Sequence, residues 1–140
     1  MAIVILVLTG IGIVLAPIAY ESIRSALLLR AMLYHDSYVL YGDPTSISRL
    51  KSILPRLVEI HRQASIRSAG FSSEKIFALN DYNERIRAWN ALLHAVELTN
   101  DGAAIDYVTQ YLKSDRADES EKHNALRFLP RIRANNASGN

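Results

Sequence analysis

Four histidines are the residues best suited to acid–base or metal chemistry: His35, His61, His94 and His123. They are scattered along the chain, and none has the spacing by which one helix face collects ligands. His35-Asp36 suggests a base with an orienting carboxylate, but neighbours on a helix point about 100° apart, so His35 is expected on the surface. His61 and His94 fall beside apolar stripes and are expected to be satisfied core or boundary residues. The sequence contains no G-x-S-x-G, no H-E-x-x-H and no glycine-rich phosphate loop. It has no cysteine, which removes thiolate nucleophiles, thiolate metal sites and disulfides. No catalytic, cofactor-binding or metal-ligating residue is assigned on this basis. The expectation is a protein that is not an enzyme and has neither a cofactor nor a small-molecule substrate.

Charge points away from nucleic acid as well. Sixteen Lys plus Arg stand against fourteen Asp plus Glu, so the pI near 9.0 rests on a net charge of only +2. Arginine provides twelve of the sixteen cations, a bias toward phosphate and carboxylate contacts.

The elements that would hold any site begin with AIVILVLTGIGIVLAPIAY, residues 2–20, which carry no charged side chain. As a helix, the eighteen residues from Ala2 to Ala19 would span about 27 Å, close to the ~30 Å hydrocarbon core of a bilayer. A soluble helix normally turns one face to water, and a signal peptide carries a basic region before its apolar stretch. Residues 1–20 are therefore read as a single transmembrane anchor. Arg24 and Arg30 follow the run and no cation precedes it, so the positive-inside rule places the C-terminal bulk on the cytoplasmic side, or in an organelle the matrix or stromal side. Tyr20 sits where an interfacial aromatic belongs. Gly10, Gly12 and Ala16 would let a second transmembrane helix pack closely, and Pro17 would kink or restart the helix.

An all-α fold is expected beyond the anchor, as a bundle of about four helices over residues 21–113 and a charged C-terminal extension over 114–140. Residues 18–41 read as a second helix or a continuation of the first. Tyr34, Tyr38 and Tyr41 share one face and are expected to dock on another protein chain; Ala26, Leu29, Leu33 and Leu40 cover a neighbouring face. Gly42 breaks the chain, and Asp43 with Pro44 opens a helix over about 44–68. Its stripe is Ile47, Leu50, Leu54, Leu57, Val58 and His61, at i, i+3, i+4 spacing. Arg49, Lys51, Arg56, Arg62 and Arg67 make this helix basic, so Arg24, Arg30, Arg49 and Arg56 are candidate contacts to lipid headgroups. After a connector at 69–80 holding Phe71 and Phe77, Asp81 and Glu84 have capping-box spacing. Tyr82, Ile86, Trp89, Leu93 and Val96 then form the best core stripe, ended by Thr99-Asn100-Asp101-Gly102. A further helix near 103–113 would point Ile105, Val108 and Leu112 inward, with Tyr107 and Tyr111 beside them. From Ser114 the chain is expected to be loose or surface-helical. Asn136-Ala137-Ser138 is a formal glycosylation sequon.

The stretch GIVLAPIAY loosely resembles the hydrophobic N-terminal helix of type IV pilins at Gly12, Ile13, Ala16, Pro17 and Tyr20. It departs from them in lacking the early acidic residue and a basic leader, so a filament-forming or phage membrane protein is the lesser expectation. The leading one is a non-catalytic, single-span accessory or assembly subunit of a larger membrane complex, such as an energy-transducing respiratory or photosynthetic one, with other membrane subunits and the lipid bilayer as partners. The alternative is a membrane-anchored helical module that recruits a soluble partner.

Overall fold

In the computed structural model the backbone is described for residues 2–69 and 76–138, and side chains for 19–69 and 79–130. The described residues form five helices and no strand: α1 (Ala2–Tyr41), α2 (Thr45–Arg67), α3 (Ile76–Thr99), α4 (Gly102–Leu112) and α5 (Glu119–Ser138). The fold is all-α.

The first two expected helices are one. α1 runs through Pro17 to Tyr41 as a single 40-residue helix, about 60 Å long at ~1.5 Å per residue. Among the described residues no helix is long and apolar enough to cross a membrane. The side chains of the apolar run, including Gly10, Gly12, Ala16 and Pro17, lie outside the described residues.

Each break has a local cause. Gly42 takes φ +67°, a left-handed conformation that a glycine adopts without strain, and its N–H closes α1 onto Tyr38 O at 2.9 Å. Asp43 then accepts from the Thr45 N–H at 3.0 Å and the Ser46 hydroxyl at 3.0 Å, tying down the start of α2. α3 ends at Asn100, which adopts φ 49°, and Asp101 caps α4 by accepting from the Ala104 N–H at 3.0 Å.

One expected cap is wrong. α3 begins at Ile76, so Asp81 and Glu84 lie inside the helix and cannot cap it. Three residues apart, they share a face turned toward α2. Arg67 Nε donates to Asp81 at 2.8 Å and its Nη2 to Glu84 at 2.7 Å. The other Glu84 oxygen lies 3.2 Å from Arg24 Nε of α1, so four charges join three helices at this end of the bundle. A capping box of the same spacing does exist at the head of α5. Asp118 accepts from the Glu121 N–H at 2.9 Å, and the Glu121 carboxylate accepts from the Asp118 N–H at 3.1 Å.

α2 and α3 form the most extensive pairing, α1 lies across both, α5 packs on α3, and α4 on α2. Tyr34 lies near Arg49, while Tyr20 donates to Gln63 at 2.9 Å, so α1 runs antiparallel to α2. Arg24 meets Glu84 and His35 meets His94, so α1 runs parallel to α3. The stripes expected on α2 and α3 fill the centre, where Leu50, Leu54, Leu57, Trp89, Leu93 and Val96 are almost fully buried. Ile47, Val58, Tyr82 and Ile86 are only half-buried. On α4 the inward face is rotated from the expected one: Ala104, Val108 and Tyr111 are buried, whereas Ile105 and Leu112 are half-buried.

Leu93→Ala, which empties a fully buried site on α3, should cost about 2–5 kcal/mol in urea denaturation. Leu126→Ala, at a 67% exposed position, should stay within about 0.5 kcal/mol. Equal losses would show that the α2–α3 contact is not the core.

Candidate functional site

The bundle's polar centre is assembled from every helix except α1. Glu121, in the first turn of α5, is fully buried, and its carboxylate is surrounded by donors. Arg85 of α3 grips it with both arms of the guanidinium fork, Nε on Oε1 at 2.8 Å and Nη2 on Oε2. His61 Nε2 of α2 approaches Oε1 at 3.3 Å. The Tyr111 hydroxyl of α4 donates to Oε2 at 2.9 Å, and the Asp118 N–H completes the set. Trp89 Nε1 donates to the Glu121 backbone carbonyl at 3.1 Å. Arg85 in turn reaches the Ser68 hydroxyl at 3.3 Å and the Arg116 carbonyl at 2.7 Å.

The protons can be placed consistently. Burial pushes the His61 imidazole below its ordinary 6.5, outweighing the opposite pull of Glu121. A neutral ring with its proton on Nε2 donates to Glu121 and leaves Nδ1 free to accept from the Tyr107 hydroxyl at 2.7 Å. Burial raises Tyr107 to about 12 and raises Tyr111 as well, so both phenols keep their protons. Burial alone would raise Glu121. The hydrogen bonds from Arg85, His61, Asp118 and Tyr111 outweigh it and hold the carboxyl at about 2. Each ionised group therefore has a partner, the condition under which a buried charge is tolerated.

This centre resembles an acid–base triad in composition, but both His61 and Glu121 are inaccessible, so no substrate atom can approach them. A hollow of about 350 Å³ has Tyr107 and Tyr111 in its wall. A larger open cleft of about 750 Å³ between α1 and α3 is lined by Glu21, Arg24, Asn80, Asp81, Asn83 and Arg87 among others, and holds no histidine. The network's chemistry is structural: it sets the register of four helices.

The sites expected from sequence fall in different places. Of the headgroup candidates, Arg30, Arg49 and Arg56 are exposed, whereas Arg24 is buried against Glu84, with its guanidinium 4.6 Å from the Tyr20 ring. The tyrosine row divides. Tyr34 packs against the core beneath Arg49, Tyr38 is half-buried, and Tyr41 is 82% exposed. The more open face of α1 carries Leu29, Leu33 and Leu40, exposed by 62%, 56% and 69%.

His35 also departs from its expected place on the surface. Its side chain is only 14% exposed, and its ring centroid lies 4.3 Å from that of His94 on α3. Residues scattered in sequence are thus brought together by the parallel packing of α1 on α3. Sequence reasoning passed over Glu121 although a signal was present, the Asp118-x-x-Glu121 spacing before an apolar run.

No protein-family model, curated protein or solved structure matches the chain.

Glu121→Ala should destabilise the protein by about 3–5 kcal/mol in urea at pH 7, because the buried Arg85 loses its bidentate carboxylate and keeps only the more distant Asp118, 3.5 Å away. The double variant Arg85→Met/Glu121→Leu should lose less than Glu121→Ala alone. Acid should act in two stages. His61 has a folded value below its unfolded 6.5, so its contribution is whole above pH 6.5 and declines below it. Glu121 contributes fully above its ordinary 4.5, and its share is lost as pH falls toward about 2. Thermal unfolding followed by circular dichroism from pH 7 to pH 3 should show both declines, and Glu121→Gln should flatten the lower one.

Proposed function

We propose that this chain is a non-catalytic accessory or assembly subunit of a larger membrane protein complex, anchored by residues 1–20 with its helical bundle on the cytoplasmic, matrix or stromal side. The observation that carries the reading is the exposed leucine face of α1. Leu29, Leu33 and Leu40 stand open to solvent on the described half of the helix, and the same helix continues upstream into the uncharged residues 2–20. An apolar face of this kind, joined to an apolar segment of span length, suits a partner that is itself integral to the membrane.

The bundle supports this arrangement mechanically. It begins where the apolar run ends, since Tyr20 bonds Gln63 and Arg24 pairs with Glu84. The far end of α1, Tyr41, lies about 31 Å along the axis from Tyr20. A partner covering Leu29 to Leu40 must therefore project from the bilayer beside α1. Arg30, Arg49 and Arg56, all exposed, remain able to meet anionic headgroups or acidic groups of that partner. The α3–α4 hairpin, which a module recruiting a soluble partner would have to present, uses its apolar residues in the chain's own core, which favours the assembly role.

Deleting residues 1–20 should release the protein from carbonate-washed membranes. Leu29→Glu/Leu33→Glu should insert and fold normally yet lose its co-purifying chains in gentle detergent. A folded truncated chain that stays in the membrane pellet would remove the anchor from this proposal, and an unchanged complex with the double variant would remove the docking face.

A further inference from the structure

The meeting of α1 and α3 gathers three metal-competent side chains that play no part in the buried network. His35 Nε2 and His94 Nδ1 are 3.2 Å apart. A Glu97 carboxylate oxygen completes a set whose ligand atoms all lie within 4.8 Å of one another. We propose that His35, His94 and Glu97 bind one zinc-class divalent ion, which ties α1 to α3.

Three features favour a ligand set over a chance meeting. The first is spacing. Two nitrogens bound to zinc at about 2.0–2.1 Å in tetrahedral geometry stand about 3.3–3.4 Å apart. The two imidazole nitrogens, 3.2 Å apart, stand just inside that separation, so an ion can enter between them with little backbone movement. Glu97 lies one helical turn beyond His94 and shares its face, and its flexible side chain can close the remaining distance by rotation. The second feature is the orientation of His35. Its other nitrogen, Nδ1, lies 3.1 Å from Asp36 Oδ1. A proton donated there leaves Nε2 with its lone pair aimed at the site, the carboxylate–histidine arrangement that supports metal-bound imidazoles. The third is shelter: all three residues are half-buried, and the Phe128 ring of α5 stands edge-on to His94 at 4.8 Å.

The donor set indicates the class of ion. Two imidazoles and one carboxylate suit zinc and its neighbours rather than calcium or magnesium, which prefer oxygen. Three protein ligands leave a fourth position for water or for a side chain of a docked partner. Without an ion, the two rings can share a hydrogen bond, with the proton on His94 Nδ1; metal binding displaces that proton. The ion would fix α1 against α3 on the flank opposite the exposed leucines. The inference stands on the α1–α3 geometry alone and does not depend on the membrane reading.

The test uses the untagged full chain in detergent, stripped with a chelator and titrated with zinc against a chromophoric competitor. One saturable equivalent is expected, together with a rise in unfolding temperature of about 5 °C at zinc well above its dissociation constant. Cobalt(II) in its place should give the intense visible bands of a four-coordinate site. His94→Ala should weaken binding by about 100-fold or more, and the near-isosteric Glu97→Gln and Asp36→Asn by about 10-fold each. His123→Ala, at an exposed position, should leave binding unchanged. The proposal is overturned if no stoichiometric binding occurs, if affinity is the same in folded Glu97→Gln and His94→Ala, or if it depends on His123. The pair would then be a hydrogen-bonded histidine couple and nothing more.

Discussion

The Glu121 carboxylate is the constraint on which the bundle depends. A buried charge is tolerated only when its hydrogen-bonding capacity is filled and its sign is matched. Five donors from α2, α3, α4 and the α5 cap do this for Glu121. Because the donors come from four helices, sliding α2 or α4 by a turn would leave the carboxylate short of a hydrogen bond, and sliding α3 or α5 would pull the buried Arg85–Glu121 pair apart. Apolar stripes alone would not impose this. Leucine and alanine faces pack in several neighbouring registers with similar energy, whereas the Arg85 fork accepts a carboxylate in one geometry.

Around that centre the polar groups are arranged by depth. The innermost, His61 and Tyr111, are kept neutral by burial and serve as donors or acceptors without charge. The next, Arg67, Asp81, Glu84 and Arg24, form an ionic junction where three helices meet. Outermost are the exposed arginines of α1 and α2, which carry the chain's small positive excess. α1 takes part in the ionic junction but contributes nothing to the buried network. It is held by Leu27, Leu28 and Ala31 on one face and leaves leucines open on another. That asymmetry leaves α1 with an apolar face that the described residues of the bundle do not cover.

The mistaken cap at Asp81 shows how local rules fail. The spacing of Asp81 and Glu84 satisfies the capping-box pattern, and nothing nearby in sequence contradicts it. A carboxylate pair three residues apart serves equally well as a clamp for an arginine on a facing helix, and Arg67 supplies that arginine. The true box at Asp118 and Glu121 has the same spacing inside a charged stretch that reads as loose surface. Its buried role depends on Arg85, which no local pattern reveals.

Much of the helical scaffold was determined by sequence alone, because it rests on interactions within a few residues. The left-handed Gly42, the Asp43 and Asp101 side chains over their helix starts, and the i, i+3, i+4 stripes of α2 and α3 are all short-range features. The uncharged run at residues 2–20 is likewise plain from composition. The tertiary structure decided what meets what. His61 and Glu121 are 60 residues apart, His35 and His94 are 59 apart, and Arg85 and Glu121 are 36 apart. Periodicity tells which face of a helix is apolar, but not which helix will cover it or in which direction that helix will run. The antiparallel lie of α1 on α2, and hence its parallel lie on α3, turned two scattered histidines into neighbours, and the packing of α5 against α2, α3 and α4 turned a surface-looking glutamate into the bundle's centre.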